Sequence, residues 1–328
     1  MDSNEPITVP TPVIGESDRR LREKLRRELG PVVCALLIDP AVVEIMLNEN
    51  GLLWVERQGE PMQKIGTMAA SQAESVMATI AASLKTQINR DTPILECELP
   101  LDGSRFAGSV SPASSAPSFA IRKKATRIFT LADYVAHGIM SGAQRDALER
   151  AIGNHQNILV VGGTGSGKTT LTNALIAAIV DQFPHERIAI IEDTGEIQCK
   201  AENHFTFRAG NGTTIEQLLV HTLRRRPDRI VVGEVRDHAA LQLLDAWNTG
   251  HPGGLSTIHS NVGGPKAALL RMESLVNRVA KNSQQSLIGE AVNVIVSIAR
   301  ATGGRRVQGV TKVEGWNGSQ YVFTQLGE

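Results

Sequence analysis

In the second half of the chain, short unbroken apolar runs alternate with longer segments whose apolar positions recur every three or four residues. The order is NILVVGG, TTLTNALIAAIV, RIAIIED, IEQLLVHTLRR, DRIVVGE and AALQLLDAWN. Unbroken runs are strands buried on both faces and the periodic segments are helices that cover them, so the pattern predicts an α/β fold on a parallel sheet. The first half is patterned differently. In DRRLREKLRREL, Leu21, Leu25 and Leu29 share one face of a helix that Ser17 or Asp18 can cap. Its opposite face is basic, which reads either as a solvated face or as a surface for a membrane or partner. VEIMLN and LLWVER flank Asn48-Glu49-Asn50-Gly51, a turn composition that predicts a hairpin. SQAESVMATIAASL predicts a helix opened by a capping box from Ser71 to Glu74. LPLDGSRFAGSVSP and SFAIRKK predict strands around the loop 111–118, and TLADYVAHG leads through Gly138 to a helix starting at Ser141. The expected organisation is a disordered, proline-rich leader over 1–16, a small α/β domain over 17–138 and a larger domain over 139–328.

Composition removes some classes of function. Lys plus Arg and Asp plus Glu are each 34 of 328 residues, so net charge supplies no general attraction to nucleic acid or anionic membrane. Cys34, Cys97 and Cys199 are scattered and form no CxxC pair, a usage expected of thiols in a reducing compartment, the cytoplasm. No apolar run is long enough to span a bilayer, so membrane contact is expected to be peripheral.

The strongest chemical signal is GGTGSGKTT, comprising Gly162, Gly163, Thr164, Gly165, Ser166, Gly167, Lys168, Thr169 and Thr170. It satisfies GxxxxGK[ST], follows a predicted strand and opens a predicted helix, the context that turns the pattern into a phosphate-binding loop. Glycines let backbone N–H groups converge on phosphate oxygens at the positive end of the helix dipole. Lys168 is expected to reach the β/γ-phosphates and the Thr169 hydroxyl to coordinate magnesium. Glu234, at the end of the strand in RIVVGEVRD, is the candidate base for a water, while Asp237 reads as a helix cap or a magnesium ligand. Glu192, Asp193 and Glu196 in IIEDTGE either hold magnesium's water shell or are solvated loop acids. For His251 and His259 in GHPGGLSTIHSN, metal binding, general-base work and contact with a bound ligand all compete.

Taken in order, GGTGSGKTT, IIEDTGE, LRRRPDRIVVGEVRD and TGHPGGLSTIHSN resemble the Walker A, aspartate box, Walker B and histidine box of the secretion ATPase superfamily. LRRRPDRIVVGEVRD resembles its type IV secretion and conjugation branch. The resemblance implies an ATP- and Mg²⁺-dependent hydrolase assembled as a homohexameric ring at the cytoplasmic face of the inner membrane, working with inner-membrane secretion components. It further implies that each nucleotide sits between a PAS-like N-terminal domain and a RecA-like C-terminal domain. His259 then matches a residue near the γ-phosphate, Glu192 and Glu196 match acids that assist at the metal or water, and Arg105 and Arg122 resemble nucleotide-contacting arginines. The four-cysteine zinc module of type II secretion and pilus-assembly members has no counterpart here, whereas pilus-retraction ATPases lack it too and stay as the alternative. A nucleic-acid motor and a non-hydrolysing assembly platform are the competing classes, the first argued against by net charge and the second by Glu234.

Overall fold

The computed structural model describes residues 15–57, 59–124, 128–210, 212–236, 238–260, 264–302 and 304–327. The expected leader falls almost wholly outside the described residues, and Asp237 also lies outside them. The chain divides into two compact units after Lys124, earlier than the boundary expected after Gly138. The reason is the helix Leu131–Ala136, whose Leu131 and Tyr134 are buried in the core of the second unit.

The first unit carries helices α1 (Glu16–Ile38) and α2 (Ala70–Ser83) and strands β1 (Val42–Leu47), β2 (Leu52–Arg57), β3 (Gln63–Thr67), β4 (Ile94–Glu98), β5 (Arg105–Ser109) and β6 (Ser118–Arg122). The strands form an antiparallel sheet in the order β3-β2-β1-β6-β5-β4. Leu25 and Leu29 of α1 pack with Val76, Met77 and Ile80 of α2 and with Ile45, Phe106 and Ile121 of the sheet, so the leucine spacing does mark the buried face. α1 is broken at Gly30, whose φ of 79° leaves the helical region, and Pro31 opens a second segment that the sequence pattern does not announce. It starts at Glu16 without a side-chain cap from Ser17 or Asp18. The capping box expected at Ser71 is also not formed: α2 begins at Ala70, so Ser71 is already inside the helix.

The second unit contains α3 (Leu131–Ala136), α4 (Gly142–Gly153), β7 (Ile158–Gly162), α5 (Lys168–Gln182), β8 (Ile188–Glu192), β9 (His204–Arg208), α6 (Ile215–Thr222), β10 (Arg229–Val232), α7 (Ala239–Asn248), β11 (Leu255–His259), α8 (Gly264–Val276), α9 (Gln285–Ala291), β12 (Val294–Ala301), β13 (Gly304–Trp316) and β14 (Tyr321–Leu326). Its sheet runs β14-β13-β12-β7-β11-β10-β8-β9, parallel from β12 to β9 and antiparallel beyond β12. Alternate residues face opposite sides. Ile158, Val160, Ile188 and Ile190 pack under α3, α4 and α5. Leu159, Val161, Ile191 and Ile230 pack under α6, α7, α8 and α9. The parallel sheet is thus covered on both faces.

Candidate functional site

Strands β7, β11, β10 and β8 are parallel neighbours, so their C-terminal ends open on one edge of the sheet, where ligands bind in such folds. The register places His259, the last residue of β11, directly opposite Gly162, the last residue of β7. From Gly162 the chain turns through the glycine-rich loop into α5. Gly167 caps α5 with φ 96°, and a Cβ there would stand 2.8 Å from Arg305 Cδ, so only glycine suits the position.

Lys168 is 8% exposed, and its ammonium donates to the carbonyls of Gly162 and Gly163, each at 2.9 Å. It also lies 3.3 Å from His259 Nδ1. An ammonium can only donate, so Nδ1 accepts and the ring proton sits on Nε2, which faces Glu234 Oε1 at 3.1 Å. Burial lowers the His259 pKa below its ordinary 6.5, Lys168, Arg236 and Arg271 push the same way, and Glu234 opposes them. The neutral imidazole is therefore the form that links lysine to glutamate. Both ring nitrogens are engaged within the chain.

Glu234 Oε2 accepts from Arg236, whose other terminal nitrogen lies 3.0 Å from Asp193 Oδ2. Asp193 is exposed and directly follows β8. Glu192 points elsewhere: it is 1% exposed, accepts from the backbone N–H of Glu196 at 2.8 Å and of Ile197 at 3.1 Å, and has Arg208 at 3.9 Å. That carboxylate folds the loop after β8. Glu196 is partly buried in the same loop, and its carbonyl accepts from Asn173 of α5. Thr169 and Thr170 occupy the first turn of α5 and are partly buried. In the first unit, Arg105 and Arg122 are cross-strand partners, flanked in register by Glu98 and Glu44. Burial pushes the Glu44 carboxyl up, and Arg122 partly offsets this.

Two arginine arrangements leave almost no trace in the sequence. Arg300 and Arg305, at the ends of β12 and β13, both donate through Nε to Gly165 O, at 3.4 and 3.3 Å, and so cover the glycine-rich loop. The only local trace is the basic pair after the turn in ATGGRRV. The second is Arg229, 0% exposed, which pairs with Glu186, donates to Gly253 O at 3.1 Å and lies 4.7 Å over the Phe183 ring. It explains part of GHPGG, because a Cβ on Gly253 would meet Arg229 Nη1 at 2.5 Å. Nδ1 of His251 is buried without a hydrogen-bond partner among the described residues.

A glycine-rich loop on a helix N-terminus, a buried lysine within it and a carboxylate at the end of a nearby parallel strand define a P-loop nucleoside triphosphatase domain of the RecA-like kind. Residues 27–310 match the type II/IV secretion system protein family, and the chain belongs to that family. It is 48% identical over 305 residues to the conjugal transfer protein TrbB of Rhizobium radiobacter, covering 93% of this chain and 94% of that one. To VirB11 of Agrobacterium fabrum it is 30% identical over 312 residues, covering 83% of this chain and 89% of the relative. In fold it is similar to the ATPase DotB of Legionella pneumophila, with a TM-score of 0.62 at 17% identity over 84% of this chain and 79% of that one. The protein is a secretion ATPase of the type IV and conjugation branch.

Proposed function

We propose that this chain hydrolyses ATP with Mg²⁺ in a homohexameric ring that drives a conjugative type IV secretion machine at the cytoplasmic face of the inner membrane. The observation that carries the reading is the side-chain chain Lys168–His259–Glu234, which ties the phosphate-binding lysine to a carboxylate across two strand ends. Likeness to TrbB and VirB11 over most of the chain favours conjugation over pilus retraction. Among the described residues, no helix is long and apolar enough to cross a membrane, so attachment to the bilayer through them would be peripheral.

The donors suit a hard cation: the Thr169 hydroxyl begins α5 beside Lys168, and the oxygen acids Glu234 and Asp193 follow adjacent strands. Thr169 would hold Mg²⁺ directly and Asp193 through water, and the bound ion would neutralise charge developing on the phosphates. Lys168 and the loop N–H groups bind the phosphates. Glu234 orients the attacking water and takes its proton, with Oε1 steadied by His259. Glu192 and Glu196 support this by fixing the loop beside them.

His259 reads whether a γ-phosphate is present, because its Nδ1 partner Lys168 is the residue drawn toward that phosphate. His259→Ala is expected to lose the preference for ATP over ADP, measured by competition binding. Its ionisation also has a signature in stability. The unfolded imidazole protonates near 6.5 and the folded one resists, so the wild type loses stability as pH falls below that value, and the alanine variant loses less. Equal pH dependence in thermal unfolding would contradict the neutral-imidazole assignment.

Arg105 and Arg122 are proposed to contact nucleotide from the first unit. The support is their adjacent register and their likeness to the family's nucleotide-contacting arginines; a contact made with ATP but not ADP is what motion requires. Arg122→Ala should slow turnover, leave the second unit folded and abolish the ATP-dependent change in small-angle scattering. Wild-type turnover with an unchanged scattering response would make these arginines surface charges. Native mass measured with and without Mg·ATP tests the ring, six subunits being expected and a monomer in both states contradicting it. Turnover stimulated by DNA in a salt-sensitive way would favour the nucleic-acid motor instead.

A further inference from the structure

Arg236 is half exposed, and sequence gives it no role beyond its place in GEVRD. Its setting is nonetheless fixed on both sides. After β10 the chain bends at Gly233 but remains tied to its neighbours: the Gly233 N–H donates to Ile191 O at 2.9 Å and the Val235 N–H donates to Thr257 O at 2.9 Å, pinning the segment to both neighbouring strands. Val235 is buried in the core, while the Glu234 and Arg236 side chains meet each other. One terminal nitrogen of Arg236 then binds Glu234 Oε2 and the other lies 3.0 Å from Asp193 Oδ2, while Glu234 Oε1 faces His259 Nε2 at 3.1 Å.

We infer that Arg236 is the positioning residue of the hydrolytic carboxylate, acting as a bridge that binds Glu234 and Asp193 together. The inference rests on the reading of Glu234 as the group that orients water. With a donor on each oxygen, the Glu234 carboxylate has one rotational setting, and its remaining lone pairs face a defined direction. Without Arg236 the carboxylate is held at one oxygen only, and the charge of Asp193 nearby is no longer balanced by the shared guanidinium. A guanidinium is a planar fork that spans two acceptors at once. A lysine ammonium supplies the charge at a single point and cannot hold that geometry. Because the pair is solvent-exposed on the arginine side, it contributes little to folding, and its loss should appear in turnover.

The test is steady-state phosphate release by the purified full chain, across ATP concentrations, for the wild type, Arg236→Ala, Arg236→Lys, Asp193→Asn and the Asp193→Asn/Arg236→Ala double variant. Arg236→Ala should lower kcat by about tenfold to a hundredfold while KM stays within about twofold, the pattern of a lost transition-state arrangement. Arg236→Lys should recover no more than about threefold of that loss. Asp193→Asn removes the far arm together with the proposed water-mediated hold on Mg²⁺, so it is compared at saturating Mg²⁺, where it should cost less than Arg236→Ala and nothing further once Arg236 is alanine, since residues acting as one unit are not additive. Should Arg236→Ala fail to fold, Arg236→Lys and Asp193→Asn still decide the matter. The inference is overturned by a wild-type kcat in Arg236→Ala, by full rescue with lysine, or by losses that multiply in the double variant. Glu234→Gln run alongside separates the two levels: wild-type turnover there overturns the reading of Glu234 itself, whereas its loss together with an unaffected Arg236→Ala overturns only the bridge.

Discussion

Lys168→Ala is expected to remove most nucleotide affinity and turnover. The ammonium is buried against the glycine-rich loop, where it holds the carbonyls of Gly162 and Gly163 and the Nδ1 of His259. A triphosphate entering the loop competes for those same donors and offers them more negative charge, so the lysine moves its bonds from carbonyls to phosphate oxygens. Charge-assisted bonds of this kind are the strong ones. Alanine removes the cation and leaves the two carbonyls without that donor. Arg300 and Arg305 meet the loop on Gly165 O and do not replace the ammonium at Gly162 and Gly163. Turnover should fall by at least about a hundredfold, the cost of removing one preorganised donor from a developing charge. ATP should also stop raising the thermal midpoint, since a ligand stabilises the fold only as far as it binds. Normal hydrolysis in this variant would remove the loop from the mechanism.

Glu234→Gln separates binding from chemistry. Glutamine keeps the shape, and its amide can still meet either His259 or Arg236, but it cannot take a proton from water. ATP affinity should therefore persist while hydrolysis falls by about two orders of magnitude or more, the range for loss of a general base. The backbone at Glu234 is pinned through the neighbouring Gly233 and Val235 N–H groups, so the substitution does not loosen the strand end. Trapped, unhydrolysed ATP should be recoverable from the variant after gel filtration. Parallel losses of binding and turnover would make Glu234 a structural residue.

The chemistry at strand ends was legible from sequence because it depends on local order. A strand, a glycine-rich turn and a helix in succession fix the loop around Lys168, and β10 followed by a carboxylate fixes Glu234. The hairpin at Asn48–Gly51 was legible for the same reason: Gly51 takes φ 76° and Asn50 accepts from the Leu52 N–H. Strands β3 and β4 escaped, since they are the two edges of their sheet and carry polar sequences such as QKIGT and ILECE, without a continuous apolar run. The antiparallel extension through β13 and β14 escaped because GRRVQGVTKVEGW and YVFTQL intersperse exposed polar residues among the apolar ones and contain no long unbroken apolar run. Which acid meets which cation was not legible at all. Glu192, Asp193 and Glu234 look alike in sequence, and only the lateral order of β8, β10 and β11 sends Glu192 to its own loop, Asp193 to Arg236, and Glu234 to both Arg236 and His259. Arg229 was hidden likewise, because its partners Glu186 and Gly253 come from separate loops.

The central claim is that Lys168, His259 and Glu234 form one ATP-hydrolysing site that works with magnesium. Its most direct test is the initial rate of phosphate release by the purified wild-type chain at saturating ATP, measured with Mg²⁺ and again with excess chelator. The expected result is steady release with Mg²⁺ that stops on chelation and is absent from Glu234→Gln. Release that persists unchanged in chelator, or none from a folded wild type that binds ATP, would contradict it.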